Sequence, residues 1–387
     1  MLWLPRGCFR RCSERHLSRT TNSRCRLGHC RNHSSFSEHP TASSPSSYPD
    51  LCRDVRDLLA KAAPSLGNSG SKRLWRRYLH RFCAAVYEGV RREIASQVDW
   101  KATQTLEMNL GRVGADTGMM PDFAQNPGAL CGYTLGHFGR VRMLIDLMTQ
   151  TTPEWLVLRM EELLGANNQN DNPSSEILQV ASLGGGPGFD FMAWLAMSEF
   201  RRGPCIQATV YEYEPNWKAM VDEIKNTSLH ILETQRHDCW FEICDITLPL
   251  DAAVNADTIG AVVAASSTNN VFTCSYVVAE NAVKLRQNDF VFFRQLFSEA
   301  SPGALFFFTE TTHRLWPDLV DLAQMTSTLR VALPHISRGK AGCQLVLFKD
   351  DTIVGEGISL ALSAADQEKY ARFKRDNEAH LAWLERK

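Results

Sequence analysis

Four glycines fall within five residues, at Gly184, Gly185, Gly186 and Gly188. An apolar run from Ile177 to Leu183 leads into them, and an apolar, helix-capable run from Phe189 to Met197 follows. Strand, glycine turn and helix in that order bring backbone close to a nucleotide. A phosphate-cradling loop would need Gly-Lys-Ser/Thr, and no lysine follows the glycines. The dinucleotide pattern G-x-G-x-x-G wants a small residue where the chain has Phe189. Carboxylates come next. Glu212 and Glu214 close the second predicted strand on one face, so either can accept hydrogen bonds from ribose hydroxyls. Asp245 and Ile246 follow the third strand, just before a Leu-Pro turn. Ser275, Tyr276 and Glu280 stand at and beyond the end of the fourth, and His313 follows the fifth. A hydroxyl, phenol, carboxylate or imidazole there can hold an acceptor group or take its proton.

These residues need a sheet whose strand ends meet. Apolar runs predict strands at 177–183, 205–212, 240–245, 271–276, 303–309, 328–334 and 343–349. Helical patterns lie between them at 189–200, 215–235, 253–266, 279–300 and 315–327. The alternation is that of a mostly parallel sheet covered on both faces. The Ser337 to Gly342 connection is too short for a parallel crossover, so the last two strands should pair antiparallel. The predicted class is α/β: a Rossmann-like, seven-stranded, mostly parallel sheet with a terminal antiparallel hairpin and an α-helical N-terminal extension.

Glycine loop, acid and Asp245 in this order resemble the class I S-adenosylmethionine-dependent methyltransferases over about residues 176–350. The resemblance implies S-adenosyl-L-methionine as cofactor. It implies that Gly184, Gly185, Gly186 and Gly188 lie under its amino acid and ribose. It gives Glu212 or Glu214 to the ribose, Asp245 to the adenine amino group and Ile246 to the ring. Ser275, Tyr276 and Glu280 then become candidate catalytic residues, because the fourth strand's end faces the methyl group in this family. Methyl transfer is an in-line displacement that depends mainly on alignment, so no single residue type is obligatory. One departure stands out: the family often has an acid two residues before the first glycine, and this chain has Ser182. Asn/Asp-Pro-Pro-Tyr, the base-amine signature, is absent. The expected activity is methyl transfer, with RNA favoured over protein or a small molecule as acceptor. The alternative is a catalytically inactive, cofactor-binding assembly factor for an RNA–protein particle such as an organelle ribosome. A nicotinamide-dependent oxidoreductase fits the glycine spacing poorly.

The remainder of the 387 residues frames this domain. Residues 1–50 hold eight Arg, no Lys and three acids, and end Ser/Pro-rich, which is the composition of an organelle transit peptide. A disordered leader and a mitochondrial location are therefore expected, with a cytoplasmic protein as the alternative. Cys8, Cys12, Cys25 and Cys30 there have near-ligand spacings, yet no predicted element surrounds them, so no metal site is expected. Residues 51–171 read as the helical extension, 172–350 as the cofactor domain and 351–387 as a helical tail. Within the extension, 71–92 is a basic helix carrying Arg73, Arg76, Arg77 and Arg81. It is either a solvated face or a phosphate-tracking surface for RNA. Residues 111–128 read as a long Gly/Pro/Asp/Asn-rich loop, and Tyr133 and His137 on the next helix, 128–148, are candidates to reach the pocket. No run of about 18 apolar residues is present, so no membrane-spanning helix is expected.

Overall fold

A computed structural model describes residues 47–62, 69–116, 126–141, 153–165, 176–264, 270–310, 312–326, 329–333, 343–350, 362, 364–384 and 386. Residues 1–46 of the leader, with its four cysteines, and the Ser337–Gly342 connection lie outside these residues; Tyr48 to Asp50, expected in the disordered leader, instead form the first turn of a helix capped by Ser47. The strands are β1 (Ile177–Leu183), β2 (Cys205–Glu212), β3 (Asp238–Ile243), β4 (Asn270–Ser275), β5 (Leu305–Glu310), β6 (Leu329–Ala332) and β7 (Cys343–Lys349). They form one sheet in the order β3-β2-β1-β4-β5-β7-β6. The first five pair in parallel. β7 inserts between β5 and β6, antiparallel to both. Strand order reverses at β1, which pairs β2 on one side and β4 on the other. Such a switch point opens a crevice beyond the strand C-termini, where open α/β sheets bind ligands.

Both sheet faces are apolar because strand residues alternate between two cores. In β5, Leu305 and Phe307 enter one core, while Phe306 and Phe308 enter the other. Helices α1 (Tyr48–Ala60), α2 (Ser69–Ile94), α3 (Trp100–Asp116), α4 (Pro127–His137) and α5 (Glu154–Leu163) precede the sheet. Helices α6 (Phe189–Arg201), α7 (Lys218–Leu232), α8 (Ala282–Gln287), α9 (Val291–Glu299) and α10 (Trp316–Thr326) connect strands, and α11 (Ala364–Leu384) follows them. α6 is buried almost all round, from Phe189 to Phe200. That fits a helix lying between the sheet and a second helical layer. Leu51, Tyr78, Phe82 and Leu130 of that layer share one core with Trp194, Ile206 and Val210. The packing is therefore continuous across position 172. No helix among the described residues is long and apolar enough to cross a membrane.

Three local readings change. The expected loop from 111 is helical through Asp116, as part of α3. Asp99 caps that helix by accepting from the Ala102 N–H at 2.9 Å. Contact with α4, including Thr103 Oγ1 to the Ala129 carbonyl at 3.3 Å, outweighs the poor helix propensity of Gly111 and Gly114. The expected helix over 279–300 is two, broken where Asp289 and Phe290 turn left-handed at φ 56° and 50°. The expected helix over 253–266 contains a π turn at Ala256–Gly260.

Candidate active site

The crevice at the switch point is a pocket bordered by the glycine loop, the ends of β2 and β4, the turn after β3 and the helical layer. Gly184 has φ +62°, and a Cβ there would meet Val277 Cγ2 at 2.5 Å, so this position admits only glycine. Its N–H donates to the Tyr211 carbonyl at 2.7 Å, which ties the loop to β2. A Cβ at Gly185 would meet Ser182 Oγ at 2.2 Å. Gly186 borders the pocket, and Gly188 leads into α6.

Glu212 ends β2 and turns its carboxylate onto the loop, accepting from the Gly186 N–H and the Tyr213 N–H, both at 3.0 Å. Burial pushes its pKa up to about 7 against the pull of those N–H groups. Glu214 also borders the pocket, but its carboxylate is engaged by Asn216, from the backbone N–H at 3.2 Å and from Nδ2 at 2.8 Å. Asp245 holds the turn after β3 by accepting from the Thr247 N–H at 2.8 Å and Oγ1–H at 2.6 Å. Asn255 pins the same turn from below, accepting from the Asp245 N–H at 2.9 Å and donating to the Asp245 carbonyl at 3.0 Å. Ile246 lines the pocket beside it.

At the end of β4, Ser275, Tyr276 and Glu280 all border the pocket. Tyr276 has φ +65°, a strained conformation for an aromatic residue and of the kind that gathers at working sites. Burial pushes the Glu280 carboxyl up to about 7, against the opposing pull of Arg140. Glu310, the last residue of β5, stands behind it, accepting from the Ala279 N–H at 3.0 Å. Cys274 is buried in the core on the face away from α6. His313 is not in the site. It lies against α11, 2.9 Å from Asp376 and stacked on Phe373 at 4.1 Å.

The helical layer roofs this pocket with Tyr133 and Arg140. The Arg140 guanidinium lies 4.3 Å from the Tyr276 ring centroid and 5.3 Å from that of Tyr133, and donates to the Tyr133 hydroxyl at 2.5 Å. His137 stays outside, stacked beneath Tyr133 at 4.2 Å, and burial pushes its imidazole down to about 3, so it is neutral. The sequence marks Arg140 only as a polar position on a helix.

A second residue without a sequence-level role answers the Ser182 departure. Asp190, in the first turn of α6, is 1% exposed and borders the pocket. Its Oδ2 accepts from Ser182 Oγ and Thr273 Oγ1, both at 2.6 Å, and its Oδ1 from Ser275 Oγ at 2.9 Å. The acid missing at 182 is thus present eight positions later, hydrogen-bonded to the serine that stands in the usual place.

The basic segment of α2 is placed by its aromatic neighbours. Trp75 and Tyr78 pack on Phe200 at 4.9 and 5.4 Å, at the far end of α6. Tyr87, later in α2, meets Phe138 at 5.5 Å, and Phe138 meets Phe189 at 5.4 Å, beside the glycine loop. Exposed Lys72, Arg73, Arg76 and Arg77 therefore lie about one α6 length, roughly 20 Å, from the loop. Farther along, Arg81 pairs with Asp54, and Arg91 and Arg92 with Glu88.

No family model matches the chain, and no curated protein matches it in sequence. Solved structures similar to it include a putative class I S-adenosylmethionine-dependent methyltransferase from Listeria monocytogenes (11% identity, 84% of this chain and 98% of that one, TM-score 0.33). The CMeT domain of the citrinin polyketide synthase matches at 12% identity over 63% of this chain and 69% of that one, TM-score 0.33. Precorrin-6y C5,15-methyltransferase from Geobacter metallireducens matches at 10% over 52% and 90%, TM-score 0.29. At such identities and scores these likenesses add nothing to the assignment, which rests on this chain's own topology. That topology, with one antiparallel strand inserted next to the end of the sheet and a glycine loop at the switch point, is the Rossmann-like, seven-stranded, mostly parallel fold expected from the sequence.

Proposed function

We propose that the protein transfers a methyl group from S-adenosylmethionine to an acceptor that enters at the Ser275–Tyr276–Glu280 end of the pocket. The observation that carries this is one pocket bordered by the glycine loop, Glu212, Asp245, Ile246 and the end of β4. The donor brings a methyl on a sulfonium, which needs alignment more than activation. Glu212 is placed to accept from the ribose hydroxyls, being turned onto the glycine loop, while Glu214 accepts from Asn216 through Oε1 alone. Asp245 and Ile246 border the adenine end. Glu280, with a pKa raised to about 7, is suited to take a proton from an O–H or N–H acceptor. Tyr133 and Arg140 border the pocket from the helical layer. Asp190 supplies a carboxylate beside Ser182, which supports cofactor binding in the active enzyme and in the cofactor-holding scaffold alike.

RNA is the acceptor we favour, on the strength of the exposed Lys72, Arg73, Arg76 and Arg77. A strand reaching from there to the pocket would cross roughly 20 Å, a few nucleotides. Calorimetry should show binding of S-adenosylmethionine and none of NADH; NADH binding alone would overturn the donor assignment. Tritium from labelled donor should appear in the RNA of fractionated cell extract. Label confined to protein or small molecules would overturn RNA as acceptor, and no label at all would favour the scaffold.

A further inference from the structure

We infer that the exposed face of α2 docks RNA by its phosphates alone, at a site separate from the methyl-transfer pocket. The inference deepens the RNA reading above and rests on it. Between Asp57 and Glu88 the chain has no acidic residue, yet it carries Lys61, Lys72, Arg73, Arg76, Arg77 and Arg81. Arg81 is held by Asp54 of α1 at 3.4 Å. Lys72, Arg73, Arg76 and Arg77 are exposed and make no ion pair among the described residues. Spaced three and four apart, they form one stripe with neighbours about 5–6 Å from one another. Like charges at that spacing repel, and no acid on α2 offsets them before Glu88. A polyanion does, and it releases the counterions that otherwise screen them. Exposed Arg202 adds a further cation at this end, two residues after Phe200.

The same helix lacks the means to read bases. Stacking on a base needs an exposed ring. α2 turns its rings inward: Trp75, Tyr78 and Phe82 are buried, and Tyr87 packs against Phe138 at 5.5 Å. It also holds no Asn or Gln to pair with a base edge. Contact is thereby limited to the phosphate backbone, which positions a strand and carries no sequence.

Packing separates this surface from the chemistry. Trp75 and Tyr78 rest on Phe200 at the end of α6, while Tyr87 reaches Phe138, which meets Phe189 at the start of α6. α2 thus runs from the far end of α6 to the pocket roof. About 15 Å of helix separates Arg77 from Tyr87. Beyond Arg77 the arginines are engaged internally, Arg81 by Asp54 and Arg91 and Arg92 by Glu88. The unpaired charge therefore gathers at the end remote from the pocket, where it anchors a strand without touching the reacting group.

Fluorescence anisotropy on the full chain, without donor, tests this with labelled oligouridylate and oligoadenylate. Wild type should bind both with affinities within about tenfold of each other, and log affinity should fall with log salt by about 0.7 per phosphate contacted. R73E/R76E should weaken both by about 10- to 100-fold and flatten the salt slope by about 1–2. R372E/R375E, at exposed positions of α11, makes the same change in net charge and should bind as wild type does. Equal weakening by the two pairs would assign the effect to net charge and overturn the inference. A preference of more than about tenfold for one homopolymer, or no RNA bound at about 50 mM salt, would overturn it too. Wild type that binds no RNA but binds vesicles of equal parts phosphatidylcholine and phosphatidylserine, and loses them in R73E/R76E, would make the partner a membrane instead. Donor binding is read separately, by calorimetry with S-adenosylhomocysteine, and should be the same in both variants. RNA held at α2 by a protein that takes no donor would sink methyl transfer and leave the docking surface standing.

Discussion

Glu310 offers a test of how this pocket stores charge. Its side chain is 2% exposed at the end of β5 and accepts from the backbone N–H groups of Ala279, at 3.0 Å, and Val278. Burial pushes its pKa from 4.5 up to about 8, Glu280 pushes the same way, and Arg140 opposes both. A carboxyl whose folded pKa lies above its unfolded value stabilises the fold fully below the unfolded pKa. That contribution is lost as pH rises through the folded one. Between pH 5 and pH 8 the unfolded chain gives up this proton while the folded chain largely keeps it, so stability falls. At about 1.4 kcal/mol per unit the full shift would be worth close to 5 kcal/mol, and coupling to Glu280 and Arg140 reduces the expected effect to about 1–3 kcal/mol. Glu310→Gln removes the charge and keeps an acceptor for Ala279. Urea unfolding of both proteins at pH 5 and pH 8 should show the variant gaining about 1–3 kcal/mol on wild type at the higher pH. A stability difference that is the same at both pH values, or larger at pH 5, would refute the charge argument.

Other perturbations separate loop geometry, donor recognition and proton transfer. Gly184→Ala forces a Cβ against Val277 at a left-handed φ, so it should cost about 1–3 kcal/mol in thermal or urea unfolding and abolish S-adenosylhomocysteine binding. Asp245→Ala should weaken donor binding by about 1–3 kcal/mol in calorimetry, since it removes the acceptor of the adenine amino group and of the Thr247 N–H and hydroxyl, while the backbone bonds to Asn255 stay. Unchanged affinity would remove Asp245 from the site. Glu280 must be ionised to accept a proton, and its pKa is raised to about 7, so the wild-type rate should climb with pH and level off above about 7. Glu280→Gln should be about 10²- to 10⁴-fold slower, with that rise gone and donor affinity retained. A variant that keeps the rise would place the proton acceptor elsewhere.

The parts of the site legible in the sequence are those fixed by their immediate neighbours. A strand running into Gly184 must turn there, because no other residue tolerates both its φ and its approach to Val277. Glu212, Asp245 and Ser275 follow directly from being at or just past strand ends. Residues whose role depends on distant partners could not be read that way. His313 and His137 looked like candidates by type, yet one is held by Asp376 and Phe373 and the other lies under Tyr133. α3 runs to Asp116 against its own glycines because α4 packs on it. Arg140 acquires meaning only from Tyr276, far along the chain.

Ser182 shows the limit most sharply. Within the motif it reads as a lost acid, and that loss, with the absent base-amine signature, is the reason for considering an inactive scaffold. In space it is one of three hydroxyls directed at Asp190, the others coming from Thr273 and Ser275 on the neighbouring strand. Pairing of β1 with β4 sets Ser182 opposite Thr273, so the three donors converge only once the sheet has formed. A carboxylate at 182 would stand where Asp190 now takes its hydrogen bond, and two buried carboxylates in contact could not both ionise. The serine at 182 and the aspartate at 190 therefore suit one another. Ser182→Asp should then damage donor binding unless Asp190→Ser accompanies it. A single S182D variant that binds S-adenosylhomocysteine as well as wild type would break that linkage.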